Sequence, residues 1–328
     1  VCEGKTDGRP LRLLVAVLEA LTAFKCAFVA RSVPLFFYPY TFPDSHDWIA
    51  NGMAYAGHAV ASSLRPPGLP LLIAALETIG LIYLLPALNQ LVLALLVLVC
   101  FTFLARHFDP WSALICALLL FLNYFLQDLS YYIMADLYAA LLFLLSLVRF
   151  IDAAEDPRRY LSSAVFFGLS ALFSYAALAV LMPAYLLIVL LHRRDHLRAR
   201  PLWIAAAVGT LISSSWFLYR WAIHGDPFQS EIAHVELLGL HLSGLPHYLL
   251  NLVSVPGVPL FALFALGLVL TLAVPRLFPS LREAQRALLV VLGISALFWV
   301  FLYRWNDRRF LIYWILPLSF FATRMIHL

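Results

Sequence analysis

Apolar runs of Leu, Ala, Val, Ile and Phe, up to about 22 residues long, alternate along this chain with short segments that carry most of its charge. At 1.5 Å of rise per residue, such runs coiled as helices match a hydrocarbon core about 30 Å thick. The pattern predicts spans at 11–30, 87–105, 111–126, 137–151, 161–176, 177–191, 202–222, 256–274, 287–302 and 311–326. One more apolar stretch, 69–85, is either an eleventh span or an element that enters and leaves on one side. A transmembrane barrel would alternate apolar and polar residues over segments of about ten, and 114–122 shows no alternation. The expected fold is all-α: a single polytopic transmembrane helical bundle over residues 1–328, with about ten to eleven spans.

Composition agrees with this reading. The 328 residues are 63% hydrophobic and 12% charged, with mean hydropathy +0.90, whereas soluble domains are about a quarter charged. A water-soluble globule is ruled out. Cys26, Cys100 and Cys116 lie inside apolar runs and Cys2 in the N-terminal tail, so no disulfide framework or CxxC metal site is indicated. The first run is not a cleavable signal, because Glu19 and Lys25 interrupt it and a long membrane protein follows.

Charge arbitrates the topology. Arg9 and Arg12, Arg106, Arg149 with Arg158 and Arg159, the cluster Arg193, Arg194, Arg198 and Arg200, and Arg276, Arg282 and Arg286 all fall on one side if 69–85 makes no net crossing. The positive-inside rule makes that side cytoplasmic. The expectation is ten net crossings with both termini cytoplasmic. Outside lie the first external loop at 31–67, a segment at 127–136, a second long loop at 223–255 and a turn at 304–309. Arg31, Arg65, Arg220, Arg304, Arg308 and Arg309 then sit on the side that the charge bias disfavours. An anionic ligand at the outer interface accounts for them as a group; singly, each is explained by snorkelling to lipid phosphate or by a nearby carboxylate.

Within the first loop, residues 44–64 sort at helical spacing into an apolar face (Ile49, Met53, Ala56, Val60, Leu64) and a polar stripe (Asp47, Asn51, Tyr55, His58, Ser62). This predicts an external amphipathic helix lying in the interface after the first span. Asp44 stands at its N-cap position, beside the positive end of the helix dipole. The stretch closes with Arg65-Pro66-Pro67-Gly68-Leu69-Pro70, a rigid non-helical entry into the next apolar run.

Asp44 with Asp47 and Trp48 close behind, an amphipathic helix and then Arg-Pro-Pro-Gly-x-Pro-Leu resemble the first external loop of the GT-C glycosyltransferases, the superfamily of protein O-mannosyltransferases and lipid A aminoarabinose transferases. Three further segments follow in the family's order. Leu129-Ser130-Tyr131-Tyr132-Ile133-Met134-Ala135-Asp136 resembles its segment in which an acid opens a span externally. Arg220-Trp221-Ala222-Ile223-His224-Gly225-Asp226-Pro227-Phe228 is similar to its Arg-Asn-x-x-x-x-Gly-x-Pro-Phe run, with Trp221 in place of asparagine. Asn306-Asp307-Arg308-Arg309-Phe310-Leu311 resembles its last loop. Two departures stand out: the chain ends at Leu328 without the soluble domain of many members, as in a minimal form, and Phe173-Ser174-Tyr175 stands where relatives carry Arg-Pro.

The resemblance implies a membrane glycosyltransferase that moves a sugar from a polyprenyl-phosphate carrier, with inversion, to an acceptor hydroxyl on the external face. It implies Asp44 as general base, with Asp47 and Asp136 as further catalytic acids. Arg309, Arg65, Arg220 and Arg308 would hold the phosphate, because the guanidinium fork binds phosphate oxygens bidentately, and Tyr55 and His58 would line the substrate. Asp136 also has a plain reading as the cap of its helix. No cofactor is expected: a divalent cation on Asp44, Asp47, His46 and His58 is the alternative, without diagnostic spacing. Tyr38, Tyr40, Trp48, Tyr131 and Tyr132 suit sugar stacking, but aromatic residues gather at any membrane interface. The expected partners are the polyprenyl-phosphate-linked donor, membrane lipid and other membrane subunits. Nucleic acid is not expected, and no P-loop, HExxH or GxSxG supports nucleotide or hydrolase chemistry. Few charges lie within the spans, which argues against an ion-coupled transporter. The alternative to an enzyme is a catalytically silent relative serving a larger membrane complex.

Overall fold

Proline punctuates the apolar runs: Pro86, Pro110, Pro201 and Pro259 each stand in the first turn of a helix, where the missing N–H costs nothing. The computed structural model describes the backbone of residues 8–36, 43–58, 65–225, 244–274, 282–302 and 308–328, and the side chains there other than those of 29–36, 43–44, 176–177, 223–224, 244, 247, 249, 282 and 308. Among these residues the regular elements are helical: α1 (Arg9–Phe36), α2 (Pro43–Tyr55), α3 (Gly68–Thr78), α4 (Leu85–His107), α5 (Pro110–Phe121), α6 (Tyr124–Tyr131), α7 (Asp136–Asp152), α8 (Arg159–Phe173), α9 (Ala176–His192), α10 (Arg200–His224), α11 (Gly244–Ser254), α12 (Val258–Ala273), α13 (Arg282–Ala296) and α14 (Ile315–His327). By length and composition alone, Ile82–His107, Arg200–Ala222, Glu283–Leu302 and Arg309–His327 are long and apolar enough to cross a membrane; Arg159–Phe173, Leu178–His192 and Val258–Ala273 are shorter apolar helices. The chain is a multi-pass helical membrane protein.

Three expectations are corrected. The predicted span 111–126 is broken between α5 and α6, which meet at a 52° bend. Asn123 makes the break: its side chain accepts from the Leu126 amide at 3.0 Å and donates to the Val255 carbonyl at 2.8 Å. The stretch 69–85, by contrast, follows the charge argument in making no full span, since α3 has 11 residues, about 16 Å of helix. The amphipathic helix stops at Tyr55, short of Leu64. Gly57 adopts φ +89°, and the His58 amide donates to the Met53 carbonyl (2.9 Å) while the Gly57 amide donates to that of Ala54 (3.0 Å), a Schellman ending that needs the glycine. Its packed face also differs from the predicted one. Ser45, Trp48 and Asn51 are buried because α2 pairs with α3, where Gly52 lies against Ile73.

α12 and α14 approach each other closely at Gly267. A Cβ at Gly267 would run into the backbone carbonyl of Phe321, which no side-chain rotation can relieve. Gly267→Ala should therefore destabilise the bundle by about 1 to 3 kcal/mol, the range for overpacking, seen as a lower unfolding midpoint in detergent. An unchanged midpoint would mean that the two helices can separate at no cost.

Candidate functional site

The polar groups gather at the two ends of the bundle, and α7 joins them. At its C-terminal end Asp152 Oδ2 meets Arg159 Nη1 at 2.9 Å and Arg106 Nη1 at 3.2 Å. Arg193 beside it donates to the Phe150 carbonyl at 2.7 Å and to Glu283 Oε1 at 2.6 Å. Asp136 is the first residue of this 17-residue helix, hence about 24 Å away along the axis. At that opposite end Arg309 Nη1 lies 3.8 Å from Asp136 Oδ2, and both side chains stay partly accessible (15% and 16%). Arg309 Nη1 also lies 3.7 Å from Met134 Sδ. Tyr313, one turn along from Arg309, is buried and sits within reach of both charges and of Ser174.

A second ion pair closes the first loop. Arg65 Nη2 is 2.9 Å from Asp47 Oδ2, and its guanidinium carbon lies 5.4 Å from the ring centre of Trp48, a contact that fixes the fork in place. The end of α8 bridges the two pairs. Gly68 abuts Phe173, which stacks on Tyr138 with centroids 5.5 Å apart, and Tyr138 is two residues from Asp136. The Phe173-Ser174-Tyr175 departure therefore lies at the centre of this site.

Of the remaining expected residues, Tyr55 and Arg220 come together. Arg220 is wholly buried rather than water-facing, and one turn before it Trp216 meets Tyr55 edge to face at 6.4 Å. Burial pushes the Tyr55 phenol up to about 12; Tyr219 adds to the rise and Arg220 opposes it. His58 lies beyond the end of α2 and faces Glu77 of α3, with Nε2 3.7 Å from Oε1. The side chains of Asp44 and Arg308 lie outside the described residues, as do Tyr38, Tyr40, Arg304 and residues 226–243. The backbone of Asp44 belongs to the first turn of α2, inside the helix rather than at its cap. Among the described residues no three His, Cys, Asp or Glu side chains gather to hold a metal ion.

No protein-family model and no curated protein matches the sequence. Its structure aligns over 98% of the chain, with TM-score 0.73 and 16% identity, with the crystal structure of ArnT from Cupriavidus metallidurans bound to undecaprenyl phosphate. The fold is that of ArnT. The chain spans 60% of the ArnT chain. At this identity the likeness to ArnT establishes the helical architecture and leaves the chemistry to be argued from the residues present.

One part of the site was not anticipated. Asn89 and Gln90, buried near the start of α4, lash down the segment that leads into Asp136. Asn89 donates to the Tyr132 carbonyl at 2.8 Å and accepts from the Tyr138 hydroxyl at 2.6 Å. Gln90 donates to the Ser130 carbonyl at 3.0 Å and to Ser130 Oγ at 2.9 Å, and its Oε1 faces Lys25 Nζ at 3.4 Å. Two adjacent amides inside the apolar run 87–105 were the available signal. Lys25 does not snorkel; it turns inward, between Gln90 and the rings of Phe121 and Tyr131. Gln90→Leu would strand the Ser130 groups and the Lys25 ammonium, so we expect a loss of about 1 to 3 kcal/mol. Thermal unfolding in detergent checks this, and a midpoint equal to wild type would show that the amide carries no load.

Proposed function

We propose that the chain is a GT-C-type membrane glycosyltransferase, which moves a sugar from a polyprenyl-phosphate carrier to an acceptor hydroxyl on the outer side of a bacterial cytoplasmic membrane, with inversion. The single observation that carries the reading is the ArnT-like fold over 98% of the chain, in a structure whose ArnT counterpart binds undecaprenyl phosphate. The partition of polar groups supports it: Asp136, Arg309, Asp47 and Arg65 share one end of the bundle, and the basic clusters at Arg106, Arg159 and Arg193 share the other. By the positive-inside rule the second end is cytoplasmic, with both termini there.

In this reading the acceptor hydroxyl loses its proton to Asp44 as it attacks the anomeric carbon, and Asp47, held by Arg65, supports that end of α2. The bond to the carrier phosphate breaks in the same displacement, so no covalent enzyme intermediate forms. Charge develops on the phosphate, and Arg309, with Arg308 beside it in sequence, is placed to neutralise it. Asp136 holds Arg309 in position and orients the donor sugar. Arg220 serves from within, by aligning Tyr55.

One observation favours a second reading, a silent subunit of a larger complex: aromatic and hydroxyl residues occupy the Phe173-Ser174-Tyr175 position beside Asp136. Binding of a short-chain polyprenyl phosphate to the purified protein in detergent tests the proposal. Saturable binding supports the transferase, and absence of binding by the wild type favours the silent subunit.

A further inference from the structure

α1 packs one side on α4 and α5, burying Leu14 and Leu18, and turns Ala16, Glu19, Ala20, Ala23, Phe24 and Ala27 outward. Contacts with α4 set the depth of this outward face. Lys25 reaches Gln90 at 3.4 Å, and Cys26 Sγ lies 3.7 Å from the Ala87 carbonyl oxygen. Followed back toward Arg9, this antiparallel register sets Glu19 level with about Leu95, the middle of α4. Glu19 pairs with none of the described residues. Arg12, on the same face, is about 10 Å below it along the axis, and Lys25 points the other way, into the bundle. A carboxylate so placed faces lipid tails, where no water or donor offsets its desolvation. Next to it Ala16, Ala20, Ala23 and Ala27 repeat at helical spacing, and small side chains in such a row let a second helix approach closely.

We propose that this face of α1 docks a transmembrane helix of another protein, and that the docked helix carries a lysine or arginine at mid-depth that pairs with Glu19. Charge complementarity selects the occupant. A second copy of this chain, related by a two-fold axis along the membrane normal, would set Glu19 against Glu19, like charge against like. The inference stands independently of the sugar-transfer reading, because the surface lies on the lipid side and not at the Asp136 end.

The test uses the full chain with a C-terminal fluorescent protein, reconstituted in phosphatidylethanolamine and phosphatidylglycerol vesicles, and two dye-labelled probes. One probe is a helix of about 20 Leu and Ala residues with a single central Lys; the other has Leu in place of that Lys. Energy transfer should show the Lys probe binding about tenfold more tightly than the Leu probe. Glu19→Leu should erase that preference, and Ala20→Leu should weaken both probes by closing the groove. Both substitutions put an apolar residue on a lipid-facing position, and an unchanged unfolding midpoint confirms that the fold is kept. Equal affinity of the two probes for the wild type overturns the proposal. So does self-association of the wild type that Glu19→Leu abolishes, which would make the occupant a second copy.

Discussion

Purified Asp44→Asn protein should lose sugar transfer by about 10²- to 10⁴-fold, the contribution of a positioned general base. Its fold and its affinity for the donor lipid should stay close to wild type. Asp44 lies in the first turn of α2, where the exchange to asparagine removes a charge that favours the helix N-terminus by about 0.3 to 1 kcal/mol. That is far too little to unfold a bundle whose α2 is also held by Trp48 and by the Asp47–Arg65 pair. Turnover, unfolding midpoint and donor-lipid affinity measured on the same preparation separate the two effects. Near-normal turnover would remove Asp44 as the base and move the assignment to Asp47.

The second large effect concerns the cation at the other side of the site. Arg309→Ala should weaken binding of a short-chain polyprenyl phosphate by about 1.5 to 3 kcal/mol, the range for a hydrogen bond to a charged group. That is about ten- to a hundredfold in affinity. An arginine that only met lipid headgroups at the surface would change carrier affinity by less, since exposed ion pairs are worth under about 1 kcal/mol. Arg65→Ala is the informative companion. Arg65 is already paired with Asp47 at 2.9 Å and lies over Trp48, whereas Arg309 sits 3.8 Å from its carboxylate and is the looser of the two. A larger loss for Arg65 than for Arg309 would transfer the phosphate to the α2 side of the site. Unchanged affinity in both variants would favour the silent-subunit reading.

The bundle was legible in the sequence where one physical rule acts alone. Spans such as 87–105 and 202–222 are set by the length of an apolar helix against the bilayer, and α4 and α10 lie where the pattern puts them. The break at Asn123 was not legible, because it depends on a side chain that caps α6 and also reaches Val255, far along the chain. The stripe on α2 misled for a related reason. Periodicity describes a helix against a uniform medium, whereas α2 meets α3, and the buried Asn51 answers the Asp47 carbonyl at 2.9 Å within its own helix. The end at Tyr55 had a local signal in Gly57, outweighed by polar spacing that continued past it. Asp136 beside Arg309 follows from placing both at the same ends of their spans. The burial of Arg220 does not, since hydropathy cannot say what packs around one side chain of a span.

The shortness of α3 has a consequence for biogenesis. When 69–85 emerges from the ribosome it offers the insertion machinery an apolar stretch nearly as long as a span, yet its helix has 11 residues, too few to cross a hydrocarbon core about 30 Å thick. Whether it stays on one side is then a decision that rests on packing, and α2 is its partner there. Substitutions that lengthen or further hydrophobise α3 would be expected to act on this decision first, inverting every later loop in a fraction of molecules and leaving the properly inserted remainder as stable as before.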